Sequence, residues 1–256
     1  MEYHRGDATG SRPAVKHLKE QIRNMVWNLL EQLNVAAFPR PVYGRIPNFK
    51  GAEIAAQRVT TLKEWQKAHV VKASPDAPQY YLRHLALREG KLLIMASPRL
   101  RAGFIALDPD VIPPSKLHQA ATINGAFKYG KVVKLSEIPV IDVVVTGCVA
   151  VDPQGVRLGK GGGFAELEYG ILRELGAIGA QTPVITTIHD LQVVGESIPL
   201  EVHDLTVDYY ATPTRLVKVE AGTKHKPKGI YWELLTPELR GLGVIRELLE
   251  TKKLKQ

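Results

Sequence analysis

The stretch "IDVVVTGCVAVDPQGVRLGKGGGFAELEYGILREL" (141–175) constrains this chain more than any other. Its first eleven residues read as one buried strand, "DPQG" (152–155) reads as a turn, and the apolar periodicity that resumes after the glycines predicts a helix over 164–176. A strand feeding a helix through a glycine loop belongs to an α/β chain, and in open parallel sheets ligands sit where strands end and helices begin. Six glycines fall within residues 155–170. Gly161, Gly162 and Gly163 have no side chains to keep an anion from their N–H groups, and the positive end of the following helix adds to the attraction. Arg157 and Lys160 flank them, the first as a fork and the second as a point charge for phosphate oxygens. The same glycines equally suit a turn that packs a helix closely on a sheet, and Glu166 in a first helical turn is stabilised by the macrodipole whatever its purpose. Known phosphate patterns do not match: Gly161 follows Lys160 where a Walker A loop needs Ser or Thr, and "GKGGGF" ends on Phe164 where GxGxxG needs glycine.

The rest of the chain repeats this alternation. Val15, Leu18, Ile22, Met25, Val26, Leu29 and Leu33 recur at helical spacing, predicting a helix over 14–34 after an arm without periodicity (1–13). "FPRPVYGRIPNFKG" (38–51) is an irregular connector, "EIAAQRVTTLKEWQKA" (53–68) a helix and "HVVKA" (69–73) a strand. "KLLIMAS" (91–97), "PVITTIH" (183–189) and "TVDYYAT" (206–212) are further strands, and "KLHQAATI" (116–123) is a short helix. "GIYWELLTPELRGLGVIRELLE" (229–250) predicts one or two short helices packed through Ile230, Tyr231, Trp232 and Leu235. Strands alternating with helices give a mainly parallel sheet covered on both faces. The chain divides into the arm (1–13), one α/β domain (14–220) and a basic helical appendage (221–256).

Charge and cysteine usage narrow the functional classes. The formal charge is +8, and residues 221–256 supply half of the excess, with eight Lys/Arg against four Glu. Such a balance favours an anionic partner without choosing it, and the tail carries no RNA-recognition signature. The longest apolar run (138–151) is too short to span a bilayer and contains Asp142. The single cysteine, Cys148, excludes an internal disulfide and a cysteine-based zinc site. With no apolar leader in the first twenty residues, the expected location is cytoplasmic.

Several segments together resemble the 5-formyltetrahydrofolate cyclo-ligase (methenyltetrahydrofolate synthetase) family, and most closely its synthetase-domain-containing branch. The glycine loop stands as "RLGKGGGFAE", a lysine–arginine helix motif as "KEQIR" (19–23), and a glutamate at a helix start as "EIAAQ" (53–57). An arginine pair after a strand stands as "PRLR" (98–101) and a late stretch as "HDLQVVGESIPLEVHDLTVDYYATP", all in family order. The resemblance implies a Rossmann-like three-layer α/β sandwich with a mainly parallel sheet, of the cyclo-ligase (NagB/RpiA/CoA transferase-like) type. It also implies ATP- and Mg²⁺-dependent closure of 5-formyltetrahydrofolate, or a related folate or pterin, to the 5,10-methenyl form.

On that resemblance Lys19 and Arg23, one helical turn apart, contact ATP phosphates. Arg157, Gly159, Lys160, Gly161, Gly162 and Gly163 form the phosphate loop, with Arg157 and Lys160 acting in catalysis. Glu166 and Asp204 hold Mg²⁺, Glu53 and Phe164 face the folate, and Arg99 and Arg101 pair with its glutamate tail. The residues alone leave plainer roles open: an exposed helix face for Lys19 and Arg23, a turn for Asp204, and core packing for Phe164. His189 and His203 are expected to be structural. Where the family has Tyr-Tyr-Asp, this chain has Phe164-Ala165-Glu166, which lengthens the metal carboxylate by one methylene. A non-catalytic nucleotide- or RNA-binding protein on the same fold is the alternative; no membrane partner is expected.

Overall fold

The computed structural model describes residues 12–220 and 225–253. Only residues 12 and 13 of the expected arm are among them, and residues 221–224 and 254–256 of the basic tail lie outside. The helices are α1 (Arg12–Gln32), α2 (Ala52–Val59), α3 (Lys63–Lys67), α4 (Tyr80–Arg88), α5 (Leu117–Ala120), α6 (Ile123–Tyr129), α7 (Phe164–Glu174), α8 (Pro237–Arg240) and α9 (Gly243–Lys253). The strands are β1 (Val70–Ala73), β2 (Leu92–Ala96), β3 (Phe104–Leu107), β4 (Lys131–Val133), β5 (Val143–Val145), β6 (Ala150–Val151), β7 (Arg157–Leu158), β8 (Val184–Thr187), β9 (Tyr209–Ala211) and β10 (Leu216–Lys218).

Eight strands make one sheet in the order β10-β9-β8-β5-β1-β2-β3-β4. The five central strands, β9 to β2, are mutually parallel; β3, β4 and β10 add antiparallel edges. β5 is Val143-Val144-Val145, buried on both faces, as a central parallel strand must be. One face packs under α2 to α6, with Ala52, Ala55, Ala56 and Val59 of α2 and the fully buried Trp65 in the core. The other packs under α7 and α9 through Leu167, Ile171, Leu172, Val244, Ile245 and Leu248. This is the expected three-layer sandwich.

Two elements differ from the sequence reading. The strand predicted over 141–151 breaks after Val145: β5 stays in the sheet, while β6 pairs with β7 in a separate hairpin. Gly147 marks the break. A Cβ there would come within 2.7 Å of the Ile46 side chain and 2.8 Å of Gln79 Oε1, so the neighbouring loops close directly over its backbone. The helix predicted over 53–68 is two helices, because the chain turns at Thr60-Thr61-Leu62 before α3. The helix expected over 116–123 ends early as α5, and α4, α6, β3, β4, β7 and β10 were not anticipated.

The β6–β7 hairpin joins α1 in a third apolar cluster that includes Ile22, Val26, Trp27, Leu30, Val42, Val149, Ala150, Val156 and Leu158. Its turn is organised by Asp152. Oδ1 accepts from the N–H groups of Gln154 and Val156, and Oδ2 accepts from Ile198 N–H. The glycine loop thus rises from a hairpin clamped between the N-terminal helix and residues 194–198, not directly from the sheet.

Candidate functional site

A cleft of about 1720 Å³ opens at the carboxyl ends of β1 and β5, between the glycine loop and α4. α7 begins at Phe164 with no side chain capping its first turn, and its preceding residue Gly163 has φ 69°. Gly161 has φ 97°, a left-handed conformation that a side chain would strain. The glycines therefore allow the loop to bend sharply with the uncapped N–H groups of α7 at the cleft wall. Anion binding is what such a start favours.

Lys19 and Arg23 lie on one face of α1, and both are buried although charged. Arg23 Nε donates to the Gly159 carbonyl at 2.7 Å and Nη1 to Glu20 at 2.9 Å, which ties α1 to the loop. Lys19 Nζ donates to Asp204 Oδ2 at 2.6 Å and Glu201 Oε2 at 2.7 Å. Arg157, only 2% exposed, donates from Nη1 to the Gly147 carbonyl at 2.9 Å and from Nη2 to Glu166 Oε1. Burial opposes its charge, but Glu166 beside it holds the guanidinium pKa above its ordinary value. Lys160 is the contrast: its side chain is 42% exposed, and its nearest carboxylate is Asp76 at 3.6 Å.

The cleft gathers Lys19, Arg23, Arg157, Gly159, Lys160, Gly161, Gly162, Gly163, Phe164, Glu166 and Asp204. Arg99 and Arg101 reach it at the rim as exposed side chains, Arg99 lying 3.5 Å from Glu238 of α8. Glu53 departs from expectation. The phase of α2 commits Ala52, Ala55, Ala56 and Val59 to the core, which leaves Glu53 exposed and outside the cleft. A carboxylate on that side of the cleft is supplied instead by Asp76, just after β1.

The candidate metal ligands also regroup. Glu201, His203 and Asp204 place one ligand atom each within 4.8 Å of one another, whereas the Glu166 carboxylate is engaged by Arg157. His203, expected to be structural, has Nε2 3.9 Å from Asp204 Oδ1. His189 caps the short turn at Asp190–Gln192, its Nδ1 accepting from Leu191 N–H at 3.2 Å.

Sequence reasoning also missed Ser74, Tyr80, Tyr81 and Glu168 as cleft residues. Two signals were available: Lys72 interrupts the apolar strand "HVVKA", and Glu168 sits within the apolar spacing of α7. Lys72 Nζ is ion-paired with Glu168 Oε2 and lies 3.3 Å from Ser74 Oγ. Arg83 pins the loop after β1, its Nη1 donating to the carbonyls of Ser74 (2.7 Å) and Asp76 (2.9 Å). Full burial lowers its pKa to about 10.

Fold and cleft together define a three-layer α/β protein whose site lies at the carboxyl ends of a mainly parallel sheet. The chain belongs to the 5-formyltetrahydrofolate cyclo-ligase family, whose model matches residues 15–213. It is 43% identical over 239 residues to a methenyltetrahydrofolate synthase domain-containing protein of Bos taurus, covering 90% of this chain and 61% of that protein. The Homo sapiens protein of the same description is 42% identical over 245 residues, covering 92% of this chain and 62% of the relative. The chain thus spans less than two thirds of the length of these curated relatives. The solved structure of 5,10-methenyltetrahydrofolate synthetase from Aquifex aeolicus superposes with a TM-score of 0.51 at 20% identity, covering 81% of this chain and 95% of that one. Among the described residues no helix is long and apolar enough to cross a membrane.

Proposed function

We propose that this chain is an ATP-dependent ligase that closes 5-formyltetrahydrofolate, or a closely related formylated pterin, to its 5,10-methenyl form. The observation that carries the reading is the convergence, on one cleft, of Lys19 and Arg23 from α1, the glycine loop, and the uncapped start of α7. Its volume of about 1720 Å³ exceeds the roughly 300–1,000 Å³ of an ordinary single-ligand pocket, which suits two substrates side by side.

The chemistry needs that arrangement. A formamide oxygen leaves poorly. Transfer of the γ-phosphoryl group from ATP to that oxygen converts it to a phosphate leaving group. The second folate nitrogen then attacks the formyl carbon, the C–O bond breaks, phosphate departs, and the nitrogen loses its proton. Transfer of this kind depends on positioned cations more than on a protein nucleophile. Lys160, exposed at the loop and paired only loosely with Asp76, can follow the transferring oxygens. Arg157, fixed by Gly147 and Glu166, holds the loop that aims it. Asp76, 3.6 Å from Lys160, is the carboxylate on the opposite side, placed to orient the lysine or an N–H of the substrate.

The donor set also suits Mg²⁺, which prefers oxygen ligands and keeps several waters. Asp204 and Glu201 would hold it, with Lys19 now occupying the position between them. Bound there, the ion would supply neutralisation of phosphate charge.

The test is direct. Purified protein with ATP, Mg²⁺ and 5-formyltetrahydrofolate should release ADP together with near-ultraviolet absorbance of the methenyl product. ADP at background removes the reading for that substrate.

A further inference from the structure

Beneath the phosphate loop the cleft floor carries a charged group that phosphoryl transfer does not use. Lys72 on β1 and Glu168 on α7 are 2% and 4% exposed, and they form an ion pair between a strand and a helix whose other buried side chains are mostly apolar. A buried pair at such a place is often no more stable than apolar side chains of the same volume, so it calls for a reason beyond stability. The geometry supplies one. Lys72 Nζ and Ser74 Oγ both approach the same carboxylate oxygen, Oε2, the hydroxyl at 3.5 Å. Glu168 lines the cleft, and no hydrogen bond reaches its Oε1 from the described residues. One oxygen is anchored and the other is left to accept from whatever lies on the floor. Ser74 lines the same cleft, as do Tyr80 and Tyr81, whose rings pack edge to face.

We infer that Glu168, positioned by Lys72 and Ser74, recognises the N–H donor edge of the substrate's heterocycle, the amino-pyrimidinone edge of a pterin. The inference deepens the proposed function and rests on its folate reading. A carboxylate whose charge is already balanced by Lys72 can take a neutral ring without burying net charge. A heterocycle without the donor leaves that oxygen dry and unpaired, which is how buried polar groups reject analogues.

The experiment compares 5-formyltetrahydrofolate with its 2-desamino-2-methyl counterpart by calorimetric binding, with ATP binding and ADP release measured in parallel. Wild type should bind the 2-amino compound about 10- to 100-fold more tightly than the 2-methyl compound. Glu168→Gln should remove most of that preference and raise KM for the folate while leaving ATP affinity unchanged. The double variant Lys72→Met/Glu168→Leu, which replaces the pair by apolar side chains of similar size, should also lose the preference with ATP binding intact. Equal weakening of both folates in either variant, with the preference kept, overturns the assignment and leaves the proposed reaction standing. Lost preference in the variants together with no ADP release by wild type removes the reaction and sustains the assignment. Failure of wild type to bind either folate overturns both.

Discussion

The floor and the rim of the cleft treat charge in opposite ways. On the floor three buried cations are matched to carboxylates at short range: Arg157 with Glu166, Lys72 with Glu168, Lys19 with Asp204 and Glu201. On the rim Lys160 stands 42% exposed and 3.6 Å from its nearest carboxylate, and Arg99 is 61% exposed. Arg157 and Lys160 are three residues apart in one loop, yet one is locked by buried partners and the other stands exposed, framework and reagent on the proposed reaction. Pairing fixes geometry and removes freedom; exposure leaves a charge available to a ligand that brings its own phosphates.

Substitutions at the two cations should separate these roles. Arg157→Ala leaves Glu166 and the Gly147 carbonyl without their donor in a buried setting. It should lower stability by about 3–5 kcal/mol, read by denaturant unfolding. Lys160→Ala should alter stability by less than about 0.5 kcal/mol, yet reduce turnover of formylfolate by about 10²-fold or more. Unfolding of the Lys160 variant, or full activity in it, would erase the distinction.

Smaller effects test the loop and the ground around it. Gly161→Ala must hold a side chain at φ 97°, with its Cβ 3.5 Å from the Arg23 guanidinium. It should cost roughly 1–2 kcal/mol and weaken ATP more than folate, as binding titrations would reveal. His189 adds a pH dependence. Burial holds its imidazole below the ordinary value of 6.5, so the unfolded chain takes up the proton first. The stability it contributes is therefore present above 6.5 and declines as pH falls toward the lower folded pKa. His189→Asn, which keeps a capping acceptor, should flatten the decrease in melting temperature between about pH 7 and 5.5. Smallest of all, Cys148 is buried with its thiol pushed up to about 11. Iodoacetamide should leave it unmodified at pH 8 until denaturant is added, as intact mass will report.

What the sequence made legible follows from how local each signal was. The parallel strands and α7 announced themselves through apolar runs and periodicity, and the ordered motifs placed the loop and α1 beside one another. The break at Thr146-Gly147 was hidden because β5 and β6 are both apolar: hydropathy reports burial, not which sheet receives the strand. α4 escaped because "YYLRHLALR" mixes aromatic and basic residues whose burial is decided by tertiary contacts. Arg83 there is fully engaged by carbonyls 7, 9 and 38 residues away. Glu53 and Asp76 show the same limit: a carboxylate near a helix start is easy to find, but helical phase and strand ends decide which one meets the cleft.

One feature of the packing bears on how such a site can diverge. The glycine loop rests on a cluster of its own, α1 with the β6–β7 hairpin and Val194 and Ile198, distinct from the two cores that clasp the sheet. Gln192 links the two at the crossing, donating to the carbonyls of Cys148 and Val149. The floor inferred to read the heterocycle belongs to the sheet and α7, so substrate preference can drift there by altering a strand or a helix face. The glycine loop, the triphosphate grip of the proposed reaction, meanwhile keeps its own scaffold, and the chain holds two heritable modules behind one opening.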